Sequence, residues 1–304
     1  MMTVTPTGAV LGATIEGLDV SRPLSDDEFA HVLQALGHYG VLRFPAQQLD
    51  AAALRTFSER FGEIQGSISG NAQHDPDVPE VGILSNIMEN GRYIGIPDAG
   101  QDWHTDMSYR DVMGFVNVLY GITIPRRNGS VLGGTEFCSM HAAYEGLPED
   151  VKRRLKDATA LHDFTKFWEH MRQDKASNRP PLTEEQRRRR PPVTHPVFMT
   201  HPITRRTVLY ANPGYTIRIN DMSERESDEM LEFLFAHQLE GRYRHLHTWS
   251  ERDLLVWDHL GTIHRAIADY GPDEPRLMKR CQVMATKIFD PGFVRGTRRE
   301  QVPA

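Results

Sequence analysis

Two periodicities run along this chain, one helical and one of alternating residues, and the passage from one to the other divides it. Thr3 to Val20 alternates apolar and small polar residues between glycines, which predicts a short strand pair. Ser25-Asp26-Asp27-Glu28 is a capping box, and Phe29, Val32, Leu33 and Leu36 follow it at helical spacing. Gly40-Val41-Leu42-Arg43-Phe44 reads as a strand ended by Pro45. Leu54, Phe57 and Phe61 then mark one face of a second helix that stops at Gly62.

From about residue 80 short strands with turn punctuation take over. Val81 to Leu84 and Val116 to Ile124 are two of them, and Thr135-Glu136-Phe137 opens a third after Gly133-Gly134. Pro148 to Leu155 predicts a helix with Leu147, Val151 and Leu155 on one face. Residues 165–192 are charged, proline-containing and aperiodic, a long loop with room for some helix, of the kind that serves as a lid. Strands resume at Pro196 to Met199 and Thr207 to Tyr210. A capping box at Ser223-Glu224-Arg225-Glu226 opens a helix through Met230, Phe233, Leu234 and His237. Leu254 to Trp257 and Cys281 to Ile288 are the last strong strands. Many short strands, inserted helices and no βαβ rhythm predict a mainly β fold with flanking helices, built on a double-stranded β-helix (jelly-roll, cupin-like) core. The expected organisation is a single domain over 1–304, with N-terminal α/β elements over 1–80, a core over about 81–290 and the 165–192 lid inserted in it.

Composition narrows the classes. Of 304 residues 39% are hydrophobic and 25% charged, as in an ordinary globular enzyme. No run of eighteen or so apolar residues is available to span a membrane, and Met1 to Arg22 lacks the basic and apolar regions of a secretory signal. The two cysteines, Cys138 and Cys281, form no framework, so a cytoplasmic location is expected. A net charge of -6 argues against a nucleic-acid partner. The run Arg187 to Arg190, between Pro180-Pro181 and Pro191-Pro192, reads as a solvated loop held extended by its prolines.

Chemistry concentrates at Trp103-His104-Thr105-Asp106. In a strand, residues i and i+2 share a face, so the His104 imidazole and the Asp106 carboxylate converge on one ion. A 2-His-1-carboxylate triad on non-haem iron needs a second imidazole, and His264, following the strand that ends in Trp257-Asp258, is the best candidate. Nitrogen and oxygen ligands without thiolate favour iron over structural zinc. Taken alone the His-x-Asp tripeptide is weak, since roughly one copy is expected by chance and a core histidine with a turn or cap carboxylate accounts for it. Arg276 and Arg280 strengthen it: a strand puts both guanidinia on one face, and arginine suits bidentate capture of a carboxylate, although a solvated strand face is the plain alternative.

These motifs stand in a familiar order. The sequence resembles the taurine dioxygenase / 2,4-dichlorophenoxyacetate dioxygenase family of Fe(II)/2-oxoglutarate oxygenases over nearly its whole length. The resemblance rests on Ile15-Glu16-Gly17-Leu18-Asp19, Arg60-Phe61-Gly62-Glu63, Trp103-His104-Thr105-Asp106, Gly133-Gly134-Thr135, Asn212-Pro213-Gly214-Tyr215, Trp257-Asp258, His264-Arg265-Ala266 and the Arg276/Arg280 pair. It implies that His104, Asp106 and His264 hold Fe(II), and that Thr135 and Arg276 seat 2-oxoglutarate. Arg280 is implied as the seat of the substrate's anionic group. The spacing from His264 to Arg276 is one residue longer than in taurine dioxygenase, which leaves Arg280 as the alternative partner of 2-oxoglutarate. The implied reaction consumes O2 and 2-oxoglutarate, hydroxylates a small organic anion and releases succinate and CO2. A homo-oligomer, dimer or tetramer, is implied as well.

Substrate determinants depart from the taurine enzyme. Where that enzyme has a sulfonate-binding histidine, this chain reads Ile64-Gln65-Gly66-Ser67. Where it has a small polar residue, this chain has Phe167 and Trp168. An aromatic wall with Arg280 retained predicts a bulkier anion: an aryloxyalkanoate, an alkyl sulfate or sulfonate, or a related carboxylate. The rival readings are a jelly-roll isomerase or hydrolase using another metal, and a non-catalytic binding protein. The first is opposed by Thr135 with Arg276 and the second by the complete triad.

Overall fold

The structure, a computed structural model, describes residues 2–65, 74–175, 177 and 179–295. Its main sheet has seven strands in the order Thr3–Pro6, Ala13–Glu16, Val41–Phe44, Leu254–Asp258, Gly114–Thr123, Leu277–Met284 and Gly82–Ser85. All pairings are antiparallel except that of Ala13–Glu16 with Val41–Phe44. A second sheet of three strands, Arg244–His247, Thr135–Ser139 and Thr262–Ala266, faces it, with Phe137 packed edge-on to Trp257 at 5.5 Å. A third sheet joins Val193–Pro196, Thr159–His162 and Thr216–Ile219. The protein is mainly β with helices around it.

Strand alternation sorts the main sheet into two faces. Val116, Val118, Tyr120, Leu254, Val256, Cys281 and Val283 turn to the helices Asp26–Tyr39 and Ala51–Glu59, where Phe29, Phe57 and Phe61 pack edge to face. The odd-numbered partners Leu119, Leu255 and Trp257, together with Met278, turn to the second sheet. Asn117, Arg276 and Arg280 share that second face and line a pocket. Both faces of Gly114–Thr123 are covered, which explains its nearly unbroken apolar sequence.

The capping boxes at Ser25 and Ser223 form as expected, opening Asp26–Tyr39 and Glu224–Gln238. Two expectations need correction. The last strand is Leu277–Met284 rather than Cys281 to Ile288, because its pocket face carries Arg280 and Gln282 and so hides the start of the strand from a hydrophobic scan. The 165–192 segment is helical in part, as the sequence left room for, in Phe164–Gln173 and Glu184–Arg188, and it is the arginine run that departs from expectation. The arginine run is therefore not extended: Arg188 pairs with Glu184 at 2.7 Å, Arg189 with Glu185, and Arg187 with Glu169 at 2.8 Å.

Several histidines are buried in the frame, and they set its response to acid. Burial pushes His141 down to about 4, and His162 and His247 down to about 3. An unfolded histidine takes up its proton near pH 6.5, so below that pH the unfolded chain binds more protons than the folded one. Stability conferred by these residues is complete above pH 6.5 and declines as pH falls, toward 4 for His141 and toward 3 for His162 and His247. Each adds up to about 1.4 kcal/mol per pH unit to the slope. Urea unfolding at pH 7.5, 6 and 5 should show this loss before carboxylates begin to titrate; a flat profile would contradict it.

Candidate metal centre and the pocket beside it

His264 sits in the strand Thr262–Ala266, and the chain carrying His104 crosses it at a single antiparallel bridge. Backbone bonds run both ways, His104 N to His264 O at 3.0 Å and His264 N to His104 O at 2.8 Å. The two imidazoles are thereby set side by side, tilted 42° to one another with ring centroids 4.4 Å apart. The sequence predicts an extended strand through Asp106, but a turn carries it instead. Met107 adopts φ 61°, in the left-handed region, and reverses the chain so that the carboxylate meets both rings. His104 Nε2 lies 3.4 Å from Asp106 Oδ1, and His264 Nε2 lies 3.7 Å from Oδ2. One ligand atom from each residue falls within 4.8 Å of the others.

The Asn212-Pro213-Gly214-Tyr215 turn braces this arrangement. A Cβ at Gly214 would lie 2.6 Å from His104 Cβ, so the backbone approach there requires glycine. Asn212 Nδ2 donates to Ser108 Oγ at 3.1 Å, tying this turn to the one that carries Asp106.

Electrostatics prepare the three side chains as ligands. Burial acts to raise the Asp106 carboxyl, but the His104 bond and the charges of the neighbouring imidazoles hold it well below the usual range. Burial, reinforced by His104, holds His264 well below its ordinary value, so it is a neutral imidazole with a lone pair to give. His104 Nδ1 lies 2.7 Å from the Asp102 carbonyl, to which only an N–H can donate, and this turns Nε2 toward the centre. Asn117 Nδ2 donates to Asp106 Oδ2 at 3.0 Å. A neutral His264 imidazole, an ionised carboxylate and a His104 ring tied down at Nδ1 fit a divalent ion of the iron type, with positions left for other ligands.

The adjoining pocket is lined by the two histidines, Asn117, Thr135, Trp257, Arg276 and Arg280, with Leu84, Leu119, Ala99, Gly100 and Ala266. Arg276 is only 5% exposed, and its Nε has no hydrogen-bond partner. Burial holds its guanidinium below the usual range, with Tyr270 opposing. Its backbone is fixed by Asn86 Oδ1 at 2.8 Å and by Ser85 Oγ at 2.8 Å. Glu274, the nearest acid in sequence, is occupied in a two-point pair with Arg127 at 2.6 Å. Trp249 Nε1 donates to Thr135 Oγ1 at 3.0 Å, so the Thr135 hydroxyl proton must be given to another acceptor. Trp257 Nε1 is a second buried donor without a partner, whereas Asn117 Oδ1, also unpartnered, is an acceptor. Unpaired buried donors converging on one pocket are what a carboxylate ligand requires. Among the described residues no acid pairs with Arg280, which lies half-buried on the same face.

Of the two aromatic residues expected at the substrate, Phe167 reaches the centre, its ring 4.7 Å from that of His104 and 5.2 Å from that of Tyr215. Trp168 turns instead toward the residues that follow its helix, donating to the Pro180 carbonyl at 2.8 Å beneath the Arg179 guanidinium. Gly66 and Ser67 lie outside the described residues. The 165–192 segment is fastened to the loop before the centre: His170 bonds the Asp102 carboxylate, Ser177 the Asp98 carboxylate, and Arg179 pairs with Asp98 at 3.3 Å. Sequence reasoning missed Asn117, Asn86 and Trp249. Each is polar inside an apolar run or remote in sequence, and only the register places it. The single polar residue in Val116 to Ile122, Asn117, was the one visible signal.

These features define a non-haem metal enzyme with a seat for a carboxylate co-substrate. A family model described as taurine catabolism dioxygenase TauD, TfdA family matches residues 3–282, and the chain belongs to this family. Pentalenolactone F synthase of Streptomyces arenae is 33% identical over 296 residues, covering 95% of this chain and 96% of that protein. The alpha-ketoglutarate-dependent 2,4-dichlorophenoxyacetate dioxygenase of Burkholderia sp. (strain RASC) is 28% identical over 261 residues, covering 83% and 84%. Among solved structures, AAD-2 in complex with Mn(II) and N-oxalylglycine superposes with a TM-score of 0.76 at 25% identity, covering 94% of this chain and 98% of that one. The protein is a 2-oxoglutarate-dependent dioxygenase that uses Fe(II), 2-oxoglutarate and O2 and acts on small molecules. No helix among the described residues is long and apolar enough to cross a membrane.

Proposed function

We propose that this dioxygenase hydroxylates a bulky organic anion, an aryloxyalkanoate, an alkyl sulfate or sulfonate, or a related carboxylate, bound between Arg280 and the Phe167 wall. The observation that carries the reading is Arg280, a half-buried guanidinium on the pocket face that no described acid neutralises. In this reading His104, Asp106 and His264 hold Fe(II), and Thr135 and Arg276 take the distal carboxylate of 2-oxoglutarate. The bound group supplies oxidative decarboxylation of 2-oxoglutarate by O2 to succinate and CO2, with the second oxygen atom inserted into a substrate C–H bond.

The chain's own part is binding and exclusion. Arg276, held in place by Asn86 and Ser85, fixes the co-substrate at one end. Phe167, Tyr215 and Tyr109, with Met107 and Met171, form an apolar wall that dries the approach to His104. The helices of 165–192, fastened at Asp98 and Asp102, act as the lid over it. Hydroxylation at a carbon bearing an ether or sulfate oxygen gives a product that collapses with C–O cleavage, and the same logic extends to C–S bonds. A 27% identical relative named alkylsulfatase and the 2,4-dichlorophenoxyacetate dioxygenases support this class. A lactone-bearing substrate is the second reading, favoured by the 33% identity to pentalenolactone F synthase and by the apolar wall.

The same proposal takes the two facing sheets as the walls of a double-stranded β-helix in one domain. It places the protein in a reducing cytoplasm, consistent with its two buried free thiols, and carries over a dimer or tetramer from the family resemblance alone. The test is anaerobic addition of Fe(II) and 2-oxoglutarate, expected to give a weak visible charge-transfer band, followed by succinate release across a panel of aryloxy acids, sulfates, sulfonates and lactones. Arg280→Ala should keep the band and lose substrate-coupled succinate formation; loss of the band itself would transfer Arg280 to the co-substrate.

A further inference from the structure

His259 directly follows Asp258 and takes no part in the triad, yet it lies beside it. Its side chain is fully buried, and neither Nδ1 nor Nε2 has a hydrogen-bond partner. Nε2 lies 3.8 Å from Asp106 Oδ2, the oxygen that accepts from Asn117 at 3.0 Å. The residue is held firmly. Its amide donates to the Phe115 carbonyl at 2.8 Å, and its carbonyl accepts from the hydroxyl of Thr105, which lies between two triad members, at 2.7 Å. Asp258, bonded to His201 at 2.8 Å, caps the amides of Leu260 and Gly261 just beyond it. The ring is also confined, since a Cβ at Gly114 would stand 3.0 Å from its Cδ2. His259 falls outside the group whose ligand atoms gather within 4.8 Å, so it is not placed as a fourth ligand.

We propose that His259 is a positioning residue of the metal centre. Its Nε2–H and the Asn117 amide together hold Oδ2 of Asp106, leaving Oδ1, 3.4 Å from His104 Nε2, to face the ion. The present separation is longer than a hydrogen bond, and a small rotation of the carboxylate on ligation closes it. A buried imidazole with two unpaired nitrogens calls for a partner; of the two acids that act on it, Asp258 is committed to His201 and the amides of Leu260 and Gly261, which leaves Asp106. The proposal rests on the reading of His104, Asp106 and His264 as the metal ligands.

The test is equilibrium binding of Co(II) to the full chain, read by its visible spectrum, in the wild type, His259→Leu and His259→Gln. His259→Leu removes the donor and should weaken binding roughly tenfold to a hundredfold with an altered spectrum. His259→Gln retains a donor and should return the affinity to within about threefold of wild type. Leucine binding as tightly as histidine, or glutamine as weak as leucine, overturns the proposal. Should His259→Leu not fold, the wild type decides. On loading with Zn(II), its His259 Nε2 should acquire a slowly exchanging proton resonance, and absence of that resonance overturns the assignment. Wild-type protein that binds no Co(II) would be a different result, striking the metal reading itself.

Discussion

Changing Asp106 to asparagine is expected to leave a folded protein that neither Mn(II) nor Co(II) stabilises and that forms no succinate. The substitution conserves shape. The oxygen of the new side-chain amide can still accept from Asn117, whose Nδ2 lies 3.0 Å from the present Oδ2. What it removes is a charge: the anion facing the buried imidazoles of His104, His259 and His264, held ionised by their proximity against the pull of burial. A divalent ion between two neutral rings would keep most of its charge uncompensated in a buried site. In the wild type, an ion present at about a hundred times its dissociation constant adds about 2.7 kcal/mol to stability through linkage. That gain should disappear in Asp106→Asn, and equally in His264→Ala, while the metal-free melting temperature stays within a few degrees for Asp106→Asn. The affinity loss should exceed the roughly tenfold to hundredfold effect of removing a residue that only braces a ligand. Undiminished stabilisation of Asp106→Asn by Mn(II) would exclude Asp106 from the centre and with it the triad.

The triad is readable in the sequence for a reason that is only half right. Alternate residues of a strand share a face, which pairs His104 with Asp106, and the structure instead uses one bridge followed by a left-handed turn at Met107. Both routes bring the two side chains together. In the sequence His264 is marked only by its place after the strand ending in Trp257-Asp258, whereas the structure sets it in a strand of its own, directly opposite His104. Helix starts are legible for a local reason, since Ser25 and Ser223 cap within three residues. The lid resists because its helices are short and amphipathic over a few turns at most. Its arginines find their partners at i,i+4 and in Glu169, a pattern that a composition scan reads as plain charge. Trp168 departs from expectation for a related reason. Phe167 and Trp168 are adjacent on a helix and so cannot face the same way, and Phe167 takes the side toward His104.

Most of what supports the pocket is invisible in the sequence because it depends on register between distant strands. Asn117 reaches Asp106 from the centre of the main sheet, and Trp249 reaches Thr135 from 114 residues away. Neither has a local signature. The same register carries the sheet's division of labour: even positions of Val116 to Tyr120 feed the apolar core under the helices, and odd ones the polar pocket. A one-residue slip of this strand would exchange Asn117 and Leu119 for valines and bury the amide among phenylalanines.

Arg276→Met should separate function from stability in the opposite direction to most core changes. The guanidinium is buried, its Nε is unpaired, and Glu274 is already committed to Arg127, so without a co-substrate the charge is poorly compensated. Replacing such a charge by an apolar side chain of similar volume is neutral or stabilising by about 1–4 kcal/mol. The ligand-free melting temperature should therefore rise by a few degrees or hold. Binding should move the other way. A carboxylate seated on a desolvated arginine loses about 2–5 kcal/mol when that partner is removed, and about 1.4 kcal/mol is tenfold in affinity. The Kd for 2-oxoglutarate, read from the charge-transfer band under anaerobic Fe(II), should thus weaken by on the order of a hundredfold. Arg276→Lys keeps the charge without the planar fork and should recover only part of that loss. An unchanged Kd in Arg276→Met would remove Arg276 from the co-substrate seat and shift the role to Arg280. A marked fall in ligand-free stability would instead mean that Tyr270, whose ring centre lies 5.7 Å from the guanidinium carbon, already compensates the charge in the resting enzyme.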